Sequence, residues 1–186
     1  MSVVNKRGFT PIRGQVGGSS SFRSRLYEAR ELRDHPLSIG EPVTLQAGFV
    51  QRATAGSAAA TNFIGVVKAL YNADKRPLTH SLPTRAAYLN TSVAGWVEVY
   101  DDPKQAYQVQ CVDSVGPSNI GGVAWIETSA VDSATGVTRT HVILTSVAGG
   151  TPLFRIIGLA PSELAVTTAG SPNNNIEVVP IAGLFN

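Results

Sequence analysis

The chain has 186 residues, a formal net charge of +2 and only 15% charged side chains. That length fits one domain, or one domain with an extended arm, and can bury a core without staples. The single cysteine, Cys111, excludes an intramolecular disulfide framework and any multi-cysteine zinc site. No apolar run approaches the roughly 18 residues needed to span a bilayer.

Charge is unevenly placed. Residues 1–35 hold seven basic and three acidic side chains, a net of +4, which leaves −2 for the remainder. The chain therefore divides into a basic N-terminal arm, residues 1–35, and a mildly acidic body, residues 36–186. The N-terminus lacks the apolar h-region of a secretory signal, so synthesis and folding in a cytoplasm are expected. Residues 1–25 mix basic side chains with Gly8, Gly14, Gly17, Gly18, Pro11 and Ser19–Ser21. Such a composition cannot bury enough apolar surface to offset its own ordering entropy. Phe9, Ile12 and Phe22 stand out as anchors, which predicts an arm that orders against a partner. Arg23–Arg33 reads equally well as a short helix or as an extended strand.

The body begins at Gly40–Val50, where Val43, Leu45 and Ala47 alternate. Asn62–Tyr71 is almost continuously apolar, as a strand buried on both faces would be. Asn72–Asn90 is a long connection with Pro77, Pro83 and the basic pair Lys75-Arg76. In Gly95–Gln110 two alternating runs flank Asp101-Asp102-Pro103, whose chemistry suits a turn, so a central β-hairpin is predicted with these three as turn residues. Further strands are expected at Val123–Glu127, Val137–Leu144, Pro152–Leu159 and Ile176–Ile181. The sum is an all-β chain, a small antiparallel barrel or sandwich of about eight or nine short strands behind a long extended arm.

Catalytic and cofactor signals are weak. His35, His80 and His141 are isolated from one another and from Cys111. No nucleophile elbow, metal-ligand spacing or phosphate-binding loop is present, so no cofactor and no enzyme activity are expected. Asp101 and Asp102, on opposite faces of an extended chain, make a poor acid–base couple. Cys111, within an apolar strand, reads as a buried inert thiol. The basic arm allows nucleic-acid binding, but the acidic body and the lack of a basic–aromatic sheet pattern make that a minor reading.

Several short runs, in order, resemble small virion structural proteins of tailed bacteriophages that decorate or cement the head. They are Asn5–Arg13 with the Gly/Ser-rich segment after it, Gly40-Glu-Pro-Val-Thr-Leu45, Phe63-Ile-Gly-Val-Val67, Val99-Tyr-Asp-Asp-Pro103 with Tyr107–Gln110, and Leu153–Leu159. The end departs from that family, with Ile176–Ile181 in place of a basic, Asn-rich closing strand. The resemblance implies a protein on the outer surface of an icosahedral head, seated where major capsid protein subunits meet, commonly as a homotrimer. Residues of the arm that would contact the capsid are Lys6, Arg7, Phe9, Arg13, Phe22, Arg23 and Arg25. Deletion of residues 1–25 is then expected to leave a folded body that no longer binds heads. Rival readings are a tail or neck subunit and a carbohydrate-binding module stacking sugars on Trp96, Tyr100 and Trp125.

Overall fold

The computed structural model describes residues 8–12, 23–31, 35–54, 62–78, 88–127, 138, 140–144, 150–160 and 174–181. Among these residues the fold is all-β, with one 3-10 turn at Pro117–Asn119 and thirteen strands. The first seven are β1 (Thr10–Pro11), β2 (Ser24–Ala29), β3 (Leu37–Ser38), β4 (Pro42–Gln46), β5 (Phe49–Arg52), β6 (Phe63–Asn72) and β7 (Tyr88–Leu89). They are followed by β8 (Gly95–Tyr100), β9 (Tyr107–Gln110), β10 (Val123–Glu127), β11 (His141–Ile143), β12 (Phe154–Leu159) and β13 (Asn175–Pro180).

The strands form two open antiparallel sheets in a sandwich-like arrangement. One runs β1-β9-β13-β12-β10-β11 and the other β2-β8-β6-β4-β5, while β3 and β7 form a separate pair. The six-stranded sheet coils until β11 meets the chain just past β9, where Val112 N donates to Val142 O at 3.2 Å. That contact is a single bridge, Cys111 to Val142, and not a ladder.

Strand β6 ties the two sheets together, and its sequence explains how. Phe63 and Val66 join the apolar cluster of the six-stranded sheet, with Tyr107, Phe154, Ile156 and Ile176. Ile64, Val67 and Leu70 join the second cluster, with Val43, Val50, Val97, Val99, Leu37 and Leu89. A strand buried on both faces needs apolar residues at successive positions, which is the pattern of Asn62–Tyr71. Gly65 lies between them at φ +148°, and a Cβ there would fall on the Tyr100 carbonyl oxygen of β8. Only glycine lets β6 and β8 approach so closely.

Two sequence expectations are corrected here. Gly95–Gln110 is not a hairpin. β8 pairs with β2 and β6, whereas β9 pairs with β1 and β13, so the intervening residues cross from one sheet to the other. Alternation reports that one face of a strand is buried and carries no information about its partner. The single strand expected over Gly40–Val50 is instead the hairpin of β4 and β5. Its turn is Ala47-Gly48, with φ of 49° and 86°, the double positive φ that two-residue hairpin turns require.

Within the ambiguous stretch Arg23–Arg33, Ser24–Ala29 form strand β2, paired with β8 over all six of its residues. Thus residues 10–11 and 24–29, counted with the arm on composition, each form one edge strand of one of the two sheets.

Candidate functional site

The N-terminal segment is the natural place to begin, because the sequence puts all candidate contacts there. Lys6, Arg7, Arg13 and Phe22 lie outside the described residues. Phe9 is fully inside. Its side chain is 2% exposed, stacked on Phe154 with centroids 4.8 Å apart and edge-on to Tyr107 at 6.1 Å. The reading of Phe9 as an anchor for an outside partner is therefore corrected: the ring is a core residue of its own chain, since burial of so large an apolar surface outweighs the weak local propensity of the segment.

The backbone around Phe9 is held as firmly as the ring. Phe9 N donates to Gly40 O at 2.7 Å, and Ile12 N donates to Ala106 O at 2.9 Å. Between them Thr10 faces Gln108 and Pro11 faces Tyr107. The Gln105 amide donates from Nε2 to Ile12 O at 2.7 Å. Residues 8–12 thus form a strap along the free edge of β9.

Arg23 and Arg25 converge on Asp101. Arg25 Nε stands 3.1 Å from Oδ2, and the Tyr27 hydroxyl donates to the same oxygen at 3.0 Å. Arg23 Nε lies 3.1 Å from Oδ1 as a charge contact without hydrogen-bond alignment. Residues 23, 25 and 27 share a face of the extended chain by period two, and Asp101 follows Val97 and Val99 on the matching face of β8. The carboxylate is completely buried while the two arginines are about half exposed. Burial, followed by the hydrogen bond and charge of Asp101, pushes the Tyr27 hydroxyl up to about 12. Asp101 is therefore less a turn residue than the acceptor that docks β2. The turn belongs to its neighbours: Gln105 N donates to Asp102 O at 3.0 Å, Lys104 N donates to Asp102 Oδ1 at 2.9 Å, and Pro103 sits at the second turn position.

The opposite face of the same sheet carries a polar and aromatic group. Glu98 Oε1 accepts from Ser24 Oγ and Lys68 Nζ, both at 2.7 Å, and its Oε2 accepts from the Tyr71 hydroxyl at 3.0 Å. Burial alone would raise the Glu98 carboxyl, but the hydrogen bonds from Lys68, Ser24 and Tyr71 outweigh it and hold the group below its usual range. Beside it Trp96 pairs with Tyr71 across the ladder, and Lys75 Nζ lies 4.2 Å from the Trp96 ring centroid. Trp96 and Tyr100 of the sugar-stacking reading thus share this face. Trp125 does not: it belongs to β10 of the other sheet, where its indole donates to Gly150 O.

A second buried charge pair, missed by sequence reasoning, lies where the strap meets the body. Glu41 Oε1 stands 2.9 Å from Arg52 Nε, and Glu41 accepts from Ser38 N, Thr138 Oγ1 and Thr140 Oγ1. Burial pushes the Glu41 carboxyl up to about 7, against the pull of Arg52 and these donors. The partners come from distant points of the chain, so no local pattern announces them.

Reactive groups are few. Cys111 is buried and its thiol is pushed up to about 11, chiefly by burial, which suits an inert side chain. His141 Nε2 lies 2.9 Å from Glu127 Oε2, His35 is exposed, and His80 lies outside the described residues. Among the described residues no three His, Cys, Asp or Glu side chains gather as a metal site would require. No helix among them is long and apolar enough to cross a membrane. No known family model matches the chain, and no curated protein is detectably similar in sequence.

Proposed function

We propose that this chain is a virion structural protein that binds the outer surface of a tailed-phage head, between major capsid protein subunits, and stabilises the shell as a cement protein. The observation that carries this reading is the anchoring of the basic N-terminal stretch at two points, the strap at residues 8–12 and strand β2. Lys6 and Arg7 directly precede the strap and Arg13 directly follows it, so cationic groups adjoin a segment fixed to a rigid body. A charged segment held in place loses less entropy on docking than a free tail. Binding that exists only on the assembled lattice stabilises that lattice by mass action. A homotrimer with its copies around a lattice junction fits the same scheme.

Removing residues 1–25 is a poor test, contrary to the expectation from composition, because it takes Phe9 from the core and Arg23 and Arg25 from Asp101. Gold-labelled antibody on intact virions is better. Label on the head supports the proposal; label confined to tail or neck sinks it.

One observation favours a second reading, a carbohydrate-binding surface. Trp96, Tyr71 and Tyr100 lie on one sheet face beside the Ser24–Lys68–Glu98 network, the combination of ring faces and polar groups that a sugar uses. Glycan binding abolished by Trp96→Ala would decide for it.

A further inference from the structure

The strap at residues 8–12 is attached in an unusual way. Among the described residues, the groups that receive it are remote in sequence: Gly40, Gln105 to Gln108 and Phe154. Its mode of attachment is that of an extended peptide added to a sheet edge. Main-chain bonds run along β9, and one aromatic side chain fills a pocket. Gly8 completes the fit. It turns into the groove at φ +69°, where a Cβ would collide with Gly40 O and the Thr138 methyl.

Among the described residues, no sequence neighbour ties the strap to its own body. Between Ile12 and Arg23 lie ten residues, Arg13 to Phe22, including Gly14, Gly17, Gly18 and Ser19–Ser21. Eleven extended steps span roughly 36–40 Å, enough to reach the same groove on an adjacent copy. Both described neighbours of this link, β1 and β2, are edge strands, so the strap can leave while breaking no strand pairing but its own with β9. An exchanged strap would remake every contact it breaks, which leaves local concentration to choose between the two arrangements.

We propose that the β9 groove is a docking site for residues 8–12 of a second copy of this chain, so that copies crowded together exchange their straps. Phe9 of one copy then completes the core of the next. The proposal does not rest on the capsid reading, because its test uses the protein alone.

Two full-length variants with different tags, Thr10→Cys and Gln108→Cys, are refolded together at high concentration and oxidised with glutathione disulfide. Thr10 and Gln108 are ladder partners, within disulfide reach, yet neither variant can close the bond within one chain. The expected product is a disulfide-linked heterodimer that dominates over both homodimers and increases with concentration. Adding Phe9→Ala to the Thr10→Cys variant should abolish it, whereas Phe9→Leu, which keeps an apolar plug, should preserve it. A heterodimer no more abundant than the two homodimers overturns the proposal. So does one indifferent to Phe9→Ala when far-ultraviolet circular dichroism shows that variant folded.

Discussion

Replacing Phe9 by alanine separates a strap that belongs to the fold from a tail that merely rests on it. The ring is 2% exposed and makes stacked and edge-on contacts with Phe154 and Tyr107. Phe→Ala changes at such sites cost about 3–5 kcal/mol. The strap lies at an edge and is held by two ladder positions and a few further bonds, so it can lift away and let the pocket partly close. The lower end, about 3 kcal/mol, is therefore expected. For a chain of this size each kcal/mol lowers the melting temperature by about 2–4 °C, so the shift is roughly 6–12 °C. Urea unfolding followed by tryptophan fluorescence measures the loss directly, and amide exchange at Ile12, bonded to Ala106, should quicken. A loss below about 1 kcal/mol, the size expected of an exposed side chain, would refute the placement of Phe9 in the core.

Other consequences follow from the same contacts. Gly65→Ala should cost about 2 kcal/mol or more, because the added Cβ meets the Tyr100 carbonyl at a φ that alanine disfavours; thermal melting tests it. Asp101→Asn should cost about 1–2 kcal/mol in urea and loosen β2, discounted because both arginines are half exposed and can rehydrate. The pH dependence of stability should carry the signature of Glu41. Its folded value of about 7 lies above its ordinary 4.5, so the folded state holds the proton more tightly and stability falls as pH rises from about 4.5 to about 7. Glu41→Gln should remove that slope, and an unchanged slope would show that Glu41 binds its proton no more tightly in the folded state than in the unfolded one.

Much of the strand content was legible in the sequence, and little of the connectivity was. Alternation in Gly95–Tyr100 and Tyr107–Gln110 located both strands and their buried faces, and the unbroken apolar run from Phe63 located the strand shared by the two clusters. Partners were not legible, since a hydrophobic face says only that something covers it. The same limit hid Glu41, whose partners lie at Arg52, Thr138 and Thr140. Phe9 was misread for another reason. Entropy arguments average over a window, and a window rich in Gly, Ser and Arg conceals one aromatic ring with a pocket waiting about a hundred residues downstream. Asp101 was read as a turn residue, but the turn belongs to Asp102–Gln105 and the role of Asp101 came from Arg23, Arg25 and Tyr27, whose period-two spacing was the one signal available.

Cosedimentation of the purified protein with undecorated heads tests the capsid reading most directly, comparing the wild type with the triple variant Lys6→Glu/Arg7→Glu/Arg13→Glu. The three residues flank the strap in sequence, and the melting temperature serves as the control for folding. The wild type is expected to pellet with heads and raise their resistance to heat, while the variant stays in the supernatant with its melting temperature unchanged. Equal pelleting of the two proteins would remove the basic flanks from the interface, and a wild type that ignores heads altogether would contradict the cement role itself.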